Sequence, residues 1–418
     1  MKTKQLLIAS ILIFGASTFF TSCSKDSTTD PVAPIVTPPA ASNQVVITGN
    51  ITSSTSWTKD KVYILNGRVF VTTGTLTIQA GTVIKGRAGI GSNTSALIIA
   101  RGAKIDAQGT ATEPIIFTAE ADAIVSGQIE SPNLDPTQGG MWGGVVLLGY
   151  APVSDLAGGA NGQLEGIPAS VVEGVYGGSD AADNSGILKY VSIRHGGTVY
   201  QPGKELNGLT LCGVGNGTEI NHIEIISTLD DGIEFFGGSV NVTDVICYKG
   251  GDDGLDIDQS YSGTISNFVI FQSSGQGCDK AFEIDGPENA INPSGKFTIT
   301  NGYVVSDGVN PYYANFKEGA QGTLKNVYFT GFPTPTASQG ILLAAGITQT
   351  HYDNNDLIIE NNIFNTSLTI ADITDGTVND VKMAANNTVG VSSNGYFTAS
   401  QFTGWSLVAT KGWLTGLN

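Results

Sequence analysis

From Trp57 onward the apolar residues come in short runs of strand length, separated by Gly, Asn and Asp. Thr75-Leu76-Thr77-Ile78 alternates apolar with polar at a period of two. Val62–Leu65, Val69–Val71, Val83–Ile84, Ala96–Ile99, Ile115–Phe117 and Val145–Leu148 read as further strands, with corners between them where Gly, Asn or Asp tolerates left-handed backbone. Three later segments align without a gap: Asp230-Asp231-Gly232-Ile233-Glu234-Phe235, Asp252-Asp253-Gly254-Leu255-Asp256-Ile257 and Asp279-Lys280-Ala281-Phe282-Glu283-Ile284. They start 22 and 27 residues apart, the spacing of a solenoid with one such strand per turn. Stacking predicts columns: Ile233, Leu255 and Phe282 inward, Phe235, Ile257 and Ile284 inward beside them, and Glu234, Asp256 and Glu283 outward between.

A second strand family recurs elsewhere on each turn, as His222-Ile223-Glu224-Ile225, Asp244-Val245-Ile246-Cys247, Asn267-Phe268-Val269-Ile270 and onward to Asn362-Ile363-Phe364. Its inward residue precedes that of the first family by ten in two successive turns, Ile223 to Ile233 and Val245 to Leu255. Two families at a fixed offset predict two faces of one coil. We read residues 44–365 as a single-stranded, right-handed parallel β-helix, an all-β solenoid. Residues 120–185 hold long Gly-rich loops between rungs. After 366 the period fades, and residues 366–418 read as a terminal coil and cap, with the aromatics between Phe397 and Trp413 covering the open last turn. A β-sandwich needs hairpins instead of a same-register repeat, and a propeller needs a period near forty.

Composition agrees: 418 residues with 55 glycines, 40% hydrophobic and 14% charged, suit a large core with many tight corners. A net charge of −17 argues against nucleic acid and against anionic lipid as partners. Lys2 and Lys4, then the apolar stretch Leu6–Phe20, form a processing signal too short for a lasting membrane span. Phe20-Thr21-Ser22-Cys23 resembles the cleavage box of a bacterial lipoprotein signal, of the looser kind found in Bacteroidota. The resemblance implies a signal peptide over 1–22, lipid on Cys23, and outer-membrane localisation exposed at the cell surface, Asp26 and Asp30 standing where an export tag carries acids. Residues 23–43, with Pro31, Pro34, Pro38 and Pro39, read as a flexible tether. Of the remaining cysteines, Cys212, Cys247 and Cys278, the odd number rules out a complete disulfide framework. Cys247 falls in an inward column as a small buried hydrophobe.

Residues 230–258 carry eight acids (Asp230, Asp231, Glu234, Asp244, Asp252, Asp253, Asp256 and Asp258) and one base, Lys249. Two charges one rung apart, about 4.8 Å, repel by about 1 kcal/mol in water and about 3.5 kcal/mol at an effective dielectric of 20. Solvent, raised carboxyl pKa values or a bound cation must compensate. Ca²⁺ suits hard oxygen ligands from two rungs, so Asp231, Asp252, Asp253 and Asp256 form a candidate metal site. The alternative is that Asp-Asp-Gly forms a corner in which one Asp bonds backbone. Arg194-His195 reads as surface, and His222 and His351 as structural or exposed. Phe236, Tyr261, Tyr312 and Tyr313 read as solvent-facing aromatics beside the acids.

The stretches Leu76–Gly86, Ala96–Ile105 and Gly109–Thr118, with Met141-Trp142-Gly143-Gly144 and Glu205–Thr210, resemble a family of Bacteroidota β-helix surface lipoproteins. That resemblance implies fold and location, not a reaction. More locally, Asp252-Asp253-Gly254-Leu255-Asp256 is similar to the calcium cluster of certain β-helix pectate lyases. In those enzymes a preceding-rung Asp, here Asp231, completes the cluster, and a later Lys in a Phe-Lys pair is the base. Phe316-Lys317 supplies that pair here, one rung later than the pattern; Lys280 stands in the Asp231–Asp253 column. Carboxylate neighbours raise a lysine's pKa, which opposes the role of base unless a metal intervenes. The leading expectation is a non-catalytic, surface-anchored scaffold binding polysaccharide or other cell-envelope material, touching the membrane only through its lipid. The alternative is a Ca²⁺-dependent uronan lyase. A hydrolase pairing Asp253 with Asp231 or Glu234 is a third reading.

Overall fold

The computed structural model describes residues 43–417 apart from 156–160, 202–203, 274–276, 290, 337–338 and 375–379. Cys23, the signal segment and the tether lie outside the described residues. The chain winds into a parallel β-helix. A nine-stranded sheet running from Arg68–Val71 to Gly340–Leu343 makes one face, here the site face, and a sixteen-stranded sheet wraps the rest. Among the described residues every pairing between rungs is parallel, and the antiparallel pairs are two short hairpins in loops, Gly162–Gln163 with Val175–Tyr176 and Val199–Gln201 with Lys204–Glu205. Ile233, Leu255 and Phe282 are in register, as are Glu234, Asp256 and Glu283. These are the columns expected from the repeat.

The coil has three faces where the pattern of residues predicts two. Strands Glu219–Ile226, Asn241–Tyr248, Thr264–Gln272, Phe297–Ser306 and Gly322–Thr330 each turn from one face to the next without leaving the sheet. The bend is one left-handed residue per rung: His222 (φ 55°), Asp244 (59°), Asn267 (52°), Asn301 (61°) and Asn326 (55°). Four of these five are Asn or Asp, the non-glycine types that best tolerate that region. The kink shifts the alternation by one, so Ile220 and Ile223 both point inward, three apart, and so do Val242 and Val245. Further along the inward stack lie Ile225, Cys247, Ile270 and Val304, confirming Cys247 as a buried wall residue. Gly302 has no alternative within this core, because a Cβ there would sit 2.3 Å from Phe268 Cζ.

The last turn is closed by helices Ile347–Asn354 and Asp380–Asn386, which with Ile370 and Ile373 add Tyr352 and Met383 to the core. The aromatics expected there lie elsewhere. Phe397, Phe402, Trp405 and Trp413 run back along the flank, against the outward column Ile246, Val269, Tyr303 and Tyr328. An apolar column on the outside of a sheet needs cover, and the C-terminal segment supplies it. Under this strap lies Arg194, read from sequence as surface but buried against Glu224, Nη2 to Oε2 3.7 Å. His195 is buried as well, its Nδ1 donating to Gln138 O. His222 packs on Tyr190, ring centroids 4.1 Å apart, and His351 Nδ1 lies 3.0 Å from Gly319 O, so both are structural.

Candidate functional site

Five consecutive strands of the site face carry the acids: β1 Leu209–Cys212, β2 Ile233–Phe236, β3 Leu255–Asp258, β4 Phe282–Asp285 and β5 Tyr312–Lys317. One outward column reads Thr210, Glu234, Asp256, Glu283, Asn315. Two residues along, a parallel column reads Cys212, Phe236, Asp258, then Asp285 and Lys317. Lys317 therefore stands in the Asp258 and Asp285 column rather than in that of Asp256, and it reaches across to Glu283.

At the corner leading into these strands the Asp-Asp pairs stack. Asp231 N–H donates to Asn207 Oδ1 at 3.2 Å, Asp253 N–H to Asp231 Oδ1 at 2.8 Å, and Lys280 N–H to Asp253 Oδ1 at 2.6 Å. Asn207, Asp231, Asp253 and Lys280 thus make one ladder, in which the first three side chains each hold the backbone of the next rung. The structural reading of Asp-Asp-Gly is correct for one oxygen of Asp231 and one of Asp253. Ligand atoms of Asp231, Asp253 and Asp256 lie within 4.8 Å of one another. Asp252 belongs to two neighbouring groups, with Asp230 and Asp231 and with Asp253 and Asp279.

The lysines are engaged. Lys280 Nζ contacts Asp279 and lies 3.0 Å from Glu283 Oε2 and 3.9 Å from Asp253 Oδ2. Lys317 Nζ lies 2.7 Å from Glu283 Oε1 and 3.2 Å from Asp285 Oδ2. Burial would lower both ammonium pKa values, but the carboxylates outweigh it and both are raised. Glu283 is the mirror image: burial pushes it up, while Asp253, Lys317 and Lys280 together bring it down to about 2.

For the other acids burial prevails, even where a lysine stands near, as Lys280 does to Asp253 and Lys317 to Asp285. Burial, followed by mutual repulsion, pushes Asp231, Glu234, Asp253, Asp256 and Asp258 well above the usual carboxylate range. Asp230 rises to about 8 and Asp285 to about 6, again with burial as the first cause. Asp256 Oδ1, Asp258 Oδ1 and Asp285 Oδ1 are shielded from solvent without any hydrogen-bond partner. Buried acceptors left alone are costly and uncommon. Yet the groove is open at its rim, where the Glu283 and Asp285 side chains are 16% and 13% exposed.

Sequence reading named Asp231, Asp252, Asp253, Asp256, Lys280 and Lys317, and all six stand in or beside this groove. It missed the place of Asp258 and Asp285, although both follow an aligned inward Ile, Ile257 and Ile284. Two of the four aromatics are corrected. Tyr261 is core, packed on Phe235 with its hydroxyl donating to Val240 O at 2.7 Å. Tyr313 is core because a register irregularity between Tyr312 and Ala314 turns it inward. Phe236 and Tyr312 remain partly exposed.

Two sheets of parallel rungs, with columns of carboxylates on one face, define the molecule as a parallel β-helix solenoid. The chain belongs to the pectate-lyase-like β-helix domain family, whose model matches residues 49–413. No match was found among curated proteins or among solved structures.

Proposed function

We propose that this β-helix is a non-catalytic glycan-binding protein that holds a uronic-acid-bearing polysaccharide through Ca²⁺ in the acidic groove. The observation that carries this reading is the set of unpartnered, shielded oxygens on Asp256, Asp258 and Asp285. Hard oxygen donors from adjacent rungs fit Ca²⁺, which accepts six to eight of them in flexible geometry. Asp231, Asp253 and Asp256 would hold the ion, with Asp252 at the rim. Bound Ca²⁺ neutralises clustered carboxylates and links them to a carboxylate of the glycan. The chain's own residues do the rest: Tyr312 and Phe236 offer partly exposed rings, and Lys280 and Lys317 keep Glu283 ionised.

Against catalysis stands the condition of the lysines. A base must be free to accept a proton near neutral pH, and both Nζ atoms are clamped by carboxylates that hold them protonated. A lyase is the second reading, favoured by the convergence of Asp231, Asp253 and Asp256 in a chain of this family.

Calorimetric titration with CaCl₂, followed by sedimentation with insoluble polygalacturonate and alginate gels in Ca²⁺ or chelator, tests both. Binding that needs Ca²⁺ and is lost in Asp256→Asn, with no rise in absorbance of unsaturated products, supports the proposal. Absence of Ca²⁺ binding sinks it. A Ca²⁺-dependent absorbance rise lost in Lys317→Ala replaces it with the lyase. We further propose a lipid on Cys23 that holds the domain at the outer surface of the outer membrane. Mass spectrometry of the N-terminal peptide and release of a Cys23→Ser variant into the medium check it.

A further inference from the structure

A second cavity, of about 360 Å³, opens on the flank where the C-terminal strap crosses the coil. Its wall is a column of three outward side chains on successive rungs, Tyr248, Phe271 and Val305. At about 4.8 Å per rung this wall is roughly 10 Å tall. Trp413 of the strap stacks on Tyr248 with centroids 4.3 Å apart and an interplanar angle of 7°. Beside the wall lie Gln272 and Ser306, themselves in register on adjacent rungs. Lys249, whose Nζ lies over the Tyr248 ring 5.2 Å from its centroid, and Asp307 bring one charge of each sign to the lining.

Gln272 makes this more than a surface dent. The residue is only 2% exposed, and its Nε2 donates to Tyr312 O at 3.2 Å, which fixes the orientation of the amide. Its Oε1 is then left shielded with no donor. A buried carbonyl oxygen in this position calls for a ligand O–H or N–H. An apolar occupant would leave it unpaired. A singly charged one would meet both Lys249 and Asp307 and gain little from either. Tyr248 is covered by Trp413 and Lys249, so Phe271 and the outer face of Trp413 are the aromatic surfaces that suit the C–H face of a pyranose ring, while hydroxyls at the ring edge suit Gln272, Ser306 and the rim. Small-molecule sites span about 300–1,000 Å³, so this volume suits one ring and not a chain.

We propose that the cavity bounded by Tyr248, Phe271, Val305, Gln272 and Trp413 binds a single neutral sugar ring, without calcium. It is separate from the acidic groove and stands whether or not that groove takes an ion.

The full mature chain, held in chelator, is titrated with the methyl glycosides of glucose, galactose, mannose, xylose and N-acetylglucosamine. Intrinsic fluorescence is the readout, because Trp57, Trp142 and Trp405 are buried and Trp413 is the partly exposed one. Saturation-transfer NMR on the same samples is the second readout. At least one glycoside is expected to give a saturable shift and saturation transfer. Val305→Trp, which fills the cavity, abolishes both, Gln272→Met weakens binding about tenfold or more, and Asp256→Asn leaves it unchanged. The milder Val305→Phe is run alongside in case the larger residue disturbs folding. No saturable response to any glycoside overturns the proposal. So does a response that persists undiminished in both Val305 variants, or an apolar indole binding where no sugar does. The groove reading, tested by Ca²⁺ uptake, can fail or succeed independently of every one of these outcomes.

Discussion

The Asp253 backbone N–H donates to the Asp231 carboxylate one rung below, at 2.8 Å. That bond ties the acidic groove to the frame of the coil, because the same carboxylate that faces Asp253 and Asp256 also holds the next turn in register. An uncharged acceptor can do the structural half of the task. Asp231→Asn, whose amide oxygen still accepts, is expected to keep or raise the melting temperature in chelator, while Asp231→Ala loses about 1–3 kcal/mol by leaving the Asp253 N–H unsatisfied. Both variants should lose most of the stabilisation added by Ca²⁺. Thermal melts with and without the ion check this, and a calcium response equal to wild type in Asp231→Asn would contradict it.

Stability should fall as pH rises through the neutral range. An acid whose folded pKa lies above its unfolded value binds more protons when folded. Its contribution is therefore complete below the unfolded pKa and is lost as pH climbs through the folded one. Asp285, raised to about 6, and Asp230, raised to about 8, place the loss between about pH 4 and pH 8. Glu283, held down at about 2, works the other way, supporting the fold above its unfolded value and losing that support in strong acid. In chelator the melting temperature is thus expected to drop from pH 5 to pH 8. Ca²⁺ should restore it more at pH 8 than at pH 5, since ionised carboxylates bind it. A flat profile in chelator would show that the groove acids are not strained by their charge.

Much of this was legible in the chain. The inward trio Ile233, Leu255 and Phe282 betrays the period, and once the period is known Glu234, Asp256 and Glu283 must share a column, because side chains alternate strictly along a strand. The third face was not legible in the same way. A single left-handed residue, such as His222 or Asn267, bends the strand without the Gly-rich break that marks a corner elsewhere. The spacing of three between Ile220 and Ile223 is the trace it leaves. Tyr313 was hidden by a one-residue irregularity that no composition reveals. The path of the strap was hidden because an aromatic run declares that it will be buried and says nothing of where. Arg194 was misplaced for a related reason: its cover comes from Ile129, Glu224 and the strap, all distant in sequence.

Lys317 clamps the far end of the groove by bridging Glu283 and Asp285. Its side chain is 36% exposed, so solvent screening limits what the pairs contribute to about 1 kcal/mol. Lys317→Met is expected to lower stability by that amount near pH 7 and to raise the pKa of Glu283 from about 2 toward the ordinary range. It should also tighten Ca²⁺ binding, because a competing cation has been removed from the carboxylates. Carboxyl ¹³C NMR titration and calcium calorimetry on the same variant check the two effects, and Ca²⁺ affinity equal to wild type would place Lys317 outside the cation's reach.

Glu224 is where the strap is fastened. Its Oε2 accepts from Ser192 Oγ at 2.6 Å and faces Arg194, while its Oε1 accepts from the Val408 backbone N–H at 2.9 Å. Arg194 also donates from Nε to Ser192 Oγ at 2.8 Å and from Nη1 to Ile129 O at 2.6 Å. Removing one member of a buried pair strands the other charge, so Glu224→Leu should cost about 3–5 kcal/mol. The double variant Glu224→Leu with Arg194→Met replaces both charges by apolar groups and is expected to recover most of that loss. The Val408 N–H, however, stays unpaired in both, so the strap should loosen in both. Limited proteolysis between Phe397 and Trp413 is expected to accelerate in the double variant even where its melting temperature approaches wild type. Because Trp413 lines the flank cavity, glycoside-induced fluorescence should weaken in parallel. Equal protease resistance in wild type and double variant would mean that the apolar contacts of Phe402 and Trp405 hold the strap without help from Glu224.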